Sequence, residues 1–183
     1  MDDANLLKDN GRKERAYTLF QLSSEETGKA MQILGFITFE DVNDPKSQKV
    51  FFKEFLNHKE KTKRSISMDL ILLLVMKNVN IDRANFFNST LEEYINVNKL
   101  NDLKNHSLYT SLHGGEFKTP KELISDSDLD RISFRAFTRY KVAEGVINIW
   151  WTHLDTLKAH LKDNPIDKSP EDMFEQFRKE LDL

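Results

Sequence analysis

Three carboxylates at alternate positions, Asp126, Asp128 and Asp130, are the side chains of this chain best spaced for ionic chemistry. Oxygen ligands at that spacing suit a hard divalent cation such as calcium. Taken as places one, three and five of a twelve-residue loop, they put Phe137 at the last place, and Phe cannot ligate. The run therefore reads as a solvated loop with helix-capping acids, and the three aspartates are only candidate metal ligands. The histidines His58, His106, His113, His153 and His160 show no metal spacing; His153 and His160 could share a helix face, but no carboxylate completes a site. No nucleophile elbow, Gly-rich phosphate loop or paired-carboxylate motif occurs. No catalytic residue, enzyme activity or cofactor is expected on these grounds. The basic run Lys59-Glu60-Lys61-Thr62-Lys63-Arg64 reads as a solvated loop, with a surface for an acidic partner as the alternative.

Composition narrows the classes. The 183 residues suffice for one large domain or two small lobes. A formal net charge of −3 argues against a dedicated nucleic-acid binder. There is no cysteine, hence no disulfide or thiolate chemistry. The acidic, polar N-terminus predicts no signal peptide. The longest apolar run, Leu70 to Met76, is far shorter than the ~18 residues of a spanning helix, so no membrane insertion is expected. Thirteen Phe against six Gly and four Pro predict a phenylalanine-rich helical core with few loops.

The elements that would position these residues are predicted as follows. Residues 1–11 form a loose tail. A short helix runs from Arg12 to Phe20, and Ser23 or Ser24 caps a second through Gly35. Asp44-Pro45 starts a third. Ser67 opens the helix carrying Leu70–Met76. Asp82 to Phe87 is a short helix, followed by a polar loop and a helix from about Asn96 to Leu103. Gly114-Gly115 marks a turn, and Thr119-Pro120 starts another helix. Asp126 to Arg131 is a loop before a long helix whose stripe runs from Ala143 to Leu161. Asn164-Pro165 stops it, and Ser169-Pro170 caps a final helix with Met173, Phe174 and Phe177 on one side.

Four segments share one pattern, an apolar residue, then Ser or Asn, then a helix: Leu22-Ser23, Ile66-Ser67, Ile95-Asn96 and Ile132-Ser133. With Phe86-Phe87 before Asn88 to Lys99 and Leu100 after it, this order resembles the calmodulin superfamily, four EF-hand units in two lobes. The resemblance implies an all-α, two-lobed degenerate EF-hand fold with an extra C-terminal helical extension. Its divisions would be a tail at 1–11, lobes at 12–78 and 79–142, and the extension at 143–183. It also implies paired loops, with Leu22 beside Ile66 and Ile95 beside Ile132. Lys99 replaces the bidentate Glu of the third loop, so calcium binding is not expected.

An EF-hand protein without its ion keeps a groove for an amphipathic helix. The resemblance thus implies a calcium-independent light chain or adaptor that binds an IQ-type helix, most specifically of a myosin heavy chain. It would be cytoplasmic and associated with the cytoskeleton, with no nucleic-acid partner. The alternatives are a centrin-like scaffold subunit or an unrelated all-helical protein-interaction domain. The expected groove residues are Leu19, Met31, Leu34, Phe51, Phe55, Leu72 and Met76 in the first lobe, and Phe86, Phe87, Leu100, Phe134 and Phe137 in the second. Trp150, Trp151, Phe174 and Phe177 are expected contacts of the extension, packed against the body.

Overall fold

A single helix of 27 residues, α2 (Lys13–Phe39), runs where two short helices were expected. Ser23 and Ser24 do not cap. Ser24 lies on the buried face with Ala16, Tyr17, Phe20 and Thr27, one or two turns apart. Thr27 Oγ1 donates to the Ser23 carbonyl at 2.9 Å, so its hydroxyl is satisfied inside the helix. The small residues here serve close packing. A Cβ built on Gly28 would lie 1.9 Å from the backbone oxygen of Lys61, so the neighbouring helix approaches α2 at a point only glycine allows.

The computed structural model describes residues 1–75, 82–163 and 170–180. Before α2 comes α1 (Asp2–Asp9), which packs on α2 and buries Ala4, so the expected tail is helical. After it come α3 (Pro45–Phe55), α4 (His58–Val75), α5 (Arg83–Ile95) and α6 (Val97–Leu108). A hairpin of β1 (Ser111–His113) and β2 (Glu116–Lys118) follows, pairing Leu112 with Phe117. Gly114 and Gly115 turn it with φ of 59° and 88°, the left-handed region open to glycine. Then α7 (Pro120–Leu123), α8 (Asp126–Thr152), α9 (Leu154–Asp163) and α10 (Pro170–Glu180) complete the described chain. Among the described residues the fold is all-α apart from this hairpin. The starts at Asp44-Pro45 and Thr119-Pro120 lie where the sequence puts them: Asp44 accepts from the Ser47 N–H at 2.9 Å, and Thr119 and Glu122 form a capping box.

The EF-hand architecture is absent because its loops are helical. Lys59–Arg64 lies in α4, where Lys, Glu and Arg are good helix formers, and its Lys61 and Thr62 turn inward. Asn88–Glu93 lies in α5, with Thr90, Glu93 and Tyr94 on one buried face. Asp126–Arg131 is the start of α8, capped by Ser125, whose Oγ accepts from the Asp128 N–H at 3.0 Å. Ile95 is 67% exposed whereas Ile132 is buried in the core, so they do not form the expected loop contact.

Two apolar clusters flank α2. One joins Ala4, Tyr17, Phe20, Ile124, Leu129, Ile132 and Ala136, from α1, α2, α8 and the residue after α7. The other joins Ile66, Leu70, Leu73, Phe87, Tyr94, Leu100 and Phe174, from α4, α5, α6 and α10. Helix α2 packs on α1, α4, α6 and α8 and so runs through the centre of the arrangement. Helix α8 passes without interruption through residues 142 and 143. No helix among the described residues is long and apolar enough to cross a membrane.

Candidate functional site

The close α2–α4 approach at Gly28 brings two chemically complementary side chains together. Glu25 precedes Gly28 by about one turn, and His58 precedes Lys61 by about one turn. His58 Nδ1 lies 2.8 Å from Glu25 Oε2. The Glu25 carboxylate is buried, with its side chain 3% exposed, whereas the imidazole is 61% exposed. A carboxylate only accepts, so Nδ1 carries the donated proton and Nε2 is left to solvent. The other Glu25 oxygen accepts from Lys104 Nζ of α6 at 2.5 Å, and this ammonium is itself buried. Lys104 is fixed in turn: Ser107 Oγ donates to its carbonyl at 2.6 Å and lies 2.7 Å from Thr18 Oγ1 of α2. The buried carboxylate thus has a compensating cation, and it orients an accessible imidazole. A histidine held by its Nδ1, with Nε2 facing solvent, is arranged for proton transfer to or from a bound molecule.

A second charged cluster lies deeper. Arg139 of α8 is 1% exposed and donates through Nη2 to Asp69 of α4 at 2.7 Å and to Glu93 of α5 at 2.5 Å. Arg135, one turn earlier, donates through Nη1 to Asp69 and to Thr90 Oγ1, each at 3.1 Å, and through Nη2 to Ser89 Oγ at 2.9 Å. Its guanidinium lies 4.1 Å from the centre of the Phe86 ring. Burial pushes the Glu93 carboxyl up, but Arg139 and Arg135 outweigh it and hold the group below the usual carboxylate range. Burial lowers Arg139, and Asp69 and Glu93 more than reverse that, so it stays charged. Two cations meet two anions, and Arg135 and Ser89 also line a cavity of about 440 Å³ with Asn85 and Arg131. This cluster locks α4, α5 and α8 together, and we assign it to structure.

The three aspartates named as candidate metal ligands each have another partner. Asp130 pairs with Lys8 at 2.8 Å, Asp126 with Lys13 at 3.3 Å, and Asp128 accepts from Ser125. Among the described residues no three His, Cys, Asp or Glu side chains cluster in a way that could hold a metal.

The expected groove residues are dispersed. Leu34, Phe87 and Leu100 are buried, the latter two in the α4–α5–α6 cluster. Leu19 packs on the other cluster, and Phe86 lies beneath Arg135. Met31 and Phe51 line a cavity of about 540 Å³ between α2 and α3, and Phe51 is 5.2 Å from Phe55. Leu72 is half-buried. Phe134 and Phe137 are exposed on α8, Phe137 at the wall of a cavity of about 790 Å³ facing α1 and α2. Met76 lies outside the described residues. In the extension, Phe174 packs 4.8 Å from Tyr94, Trp150 is half-buried and Trp151 is exposed. The Phe177 side chain is outside what is described.

Sequence reasoning missed both charged clusters. His58, Glu25 and Lys104 carry no common motif. The deep cluster left one trace, a lone aspartate, Asp69, before the apolar run Leu70–Met76.

No curated protein and no solved structure matches the chain. The HEPN AbiV family model, described as AbiV, matches residues 1–141. That match is to neither an EF-hand nor a calmodulin family, and it overturns the reading as a myosin light chain. The myosin heavy chain as partner and the cytoskeletal assignment fall with it, and the family lends no support to the expectation that the chain is not an enzyme. With a match over residues 1–141 of 183, the chain belongs to the AbiV family of HEPN domains.

Proposed function

We propose that this chain is an RNA-cleaving protein of the abortive-infection class, with His58 as its proton-transfer group. HEPN domains are often ribonucleases, and the AbiV name ties the family to abortive infection. The observation that carries the reading to a residue is the exposed His58 imidazole held by the buried Glu25. In the reaction, His58 Nε2 takes the proton of a ribose 2′-hydroxyl. The 2′-oxygen attacks the adjacent phosphorus, and the bond to the 5′-oxygen breaks. Water protonates the departing 5′-oxygen, and the imidazolium returns its proton to solvent. The products are a 2′,3′-cyclic phosphate and a 5′-hydroxyl end. Glu25 fixes the ring and stabilises the imidazolium, and Lys104 keeps Glu25 in place.

The test is cleavage of a labelled oligoribonucleotide with end-group analysis. The unaltered chain gives 5′-hydroxyl ends, and His58→Ala lowers the rate by a factor on the order of 10² to 10⁴, the usual weight of a positioned acid–base group. Cleavage by His58→Ala at the unaltered rate overturns the assignment.

A further inference from the structure

We propose that the groove between α4, α5, α6 and α10 binds the phosphate backbone of single-stranded RNA. The inference rests on the ribonuclease reading above for the identity of the polyanion. A cavity of about 550 Å³ opens there, lined in part by Lys59, Lys63, Tyr94, Asn98 and Arg178. Lys59 and Lys63 are one turn apart on α4, so their ammonium groups lie along one edge of the groove. Lys63 Nζ sits 5.1 Å from the centre of the Tyr94 ring. Among the described residues neither lysine has a carboxylate within ion-pair distance. Arg178, on the facing wall, donates to Glu175 at 3.0 Å. Glu60 and Glu175 are the two acids on the lining, against three cations. The groove is therefore locally positive on a chain whose net charge is −3.

His58 and Glu25 are not among the groove's lining residues, but Lys59 follows His58 directly on the first turn of α4, so the lysine edge of the groove ends one residue from the dyad. The N-terminal end of α4, whose Lys59 N–H is already met by Asn57 Oδ1 at 3.0 Å, adds a favourable dipole for phosphate. Lysines as movable point charges suit a backbone that is held without reading its sequence. Arg178 lies beyond the family-matched residues 1–141, so this wall of the groove is contributed by the C-terminal part of the chain.

The test measures fluorescence anisotropy of a labelled twelve-nucleotide oligouridylate on the full chain carrying His58→Ala, so that binding is read without cleavage. Three phosphate contacts give a slope of log affinity against log salt of about −2, from roughly −0.7 per contact on a single strand. Adding Lys59→Glu and Lys63→Glu is expected to weaken binding at least tenfold and to remove about 1.4 from that slope. A control, Lys121→Glu on α7, is expected to change neither, and circular dichroism reports whether each variant is folded. Unchanged binding by folded Lys59→Glu/Lys63→Glu overturns the groove. Equal competition by an RNA duplex overturns the single-strand claim. The ribonuclease reading fails separately: groove-dependent binding with no cleavage by the unaltered chain sinks that reading and keeps the groove.

Discussion

Asp69 shows how a single residue constrains three helices. Its carboxylate is 1% exposed and accepts from both Arg135 and Arg139. Removing its charge would leave two buried guanidiniums with Glu93 as their remaining carboxylate. Asp69→Asn is expected to destabilise the fold by about 3–5 kcal/mol, the range for breaking a buried pair, read from urea unfolding. Glu93 adds a pH signature. Its folded pKa lies below the ordinary value of 4.5, so its contribution is full above that pH and is lost as pH falls through the depressed folded value. Unfolding of Glu93→Gln should therefore depend less on pH below 4.5 than unfolding of the unaltered chain. Part of this was legible in the sequence. A carboxylate beside Leu70–Met76 demands a buried cation, and Arg135 and Arg139 lie one turn apart. The His58 site was not legible, because Glu25 is 33 positions from His58 and 79 from Lys104. Only packing brings these three together.

At the scale of elements, the sequence announces helix starts better where a proline or an Asx residue fixes them than where serine alone does. Asp44-Pro45 and Thr119-Pro120 start helices because Pro presets φ and a carboxylate accepts an open backbone N–H, Asp44 from Ser47 and Glu122 from Thr119. Ser23, Ser24 and Ser67 look alike in sequence but sit inside α2 and α4. What separates them from caps is a buried face continuing on both sides of the serine. Ile66, Leu70 and Leu73 fall on one side of α4, with Lys61 and Ser65 buried earlier on the same helix. The repeated apolar–polar step suggested EF-hand loops, but here it records where a buried stripe crosses a small residue. Ser125, by contrast, is a true cap for α8. Ser125→Ala is expected to cost about 1 kcal/mol. In a chain of this size that is a fall of roughly 2–4 °C in Tm, measurable by calorimetry.

At the scale of the molecule, the family-matched residues 1–141 contain both apolar clusters except Phe174. Helix α10 supplies that one ring, set 6.0 Å from Phe87 and 4.8 Å from Tyr94. Ending the chain after Asp163 should therefore leave a folded protein with a lower unfolding midpoint. Burial of Phe174 accounts for about 1.5–3 kcal/mol of the loss, and Met173, packed against the same cluster, adds to it. Loss of all cooperative unfolding would show instead that the C-terminal part is integral to the core. All-α character was legible from composition, whereas the arrangement of helices around α2 was not, since it depends on contacts such as that of Gly28 with Lys61. That contact also acts as a fulcrum. Where two helix backbones touch, they can rock about the touching point but cannot slide through it. Glu25 lies three residues from Gly28, about 4.5 Å along the axis, while Phe39 lies eleven residues away, about 16 Å. A tilt of about 10° at this pivot would swing the far end of α2 by roughly 3 Å and Glu25 by less than about 1 Å. His58 has the same short arm from Lys61. His58 and Glu25 thus sit close to the pivot of the helix pair, where rocking of α2 on α4 would change their separation least.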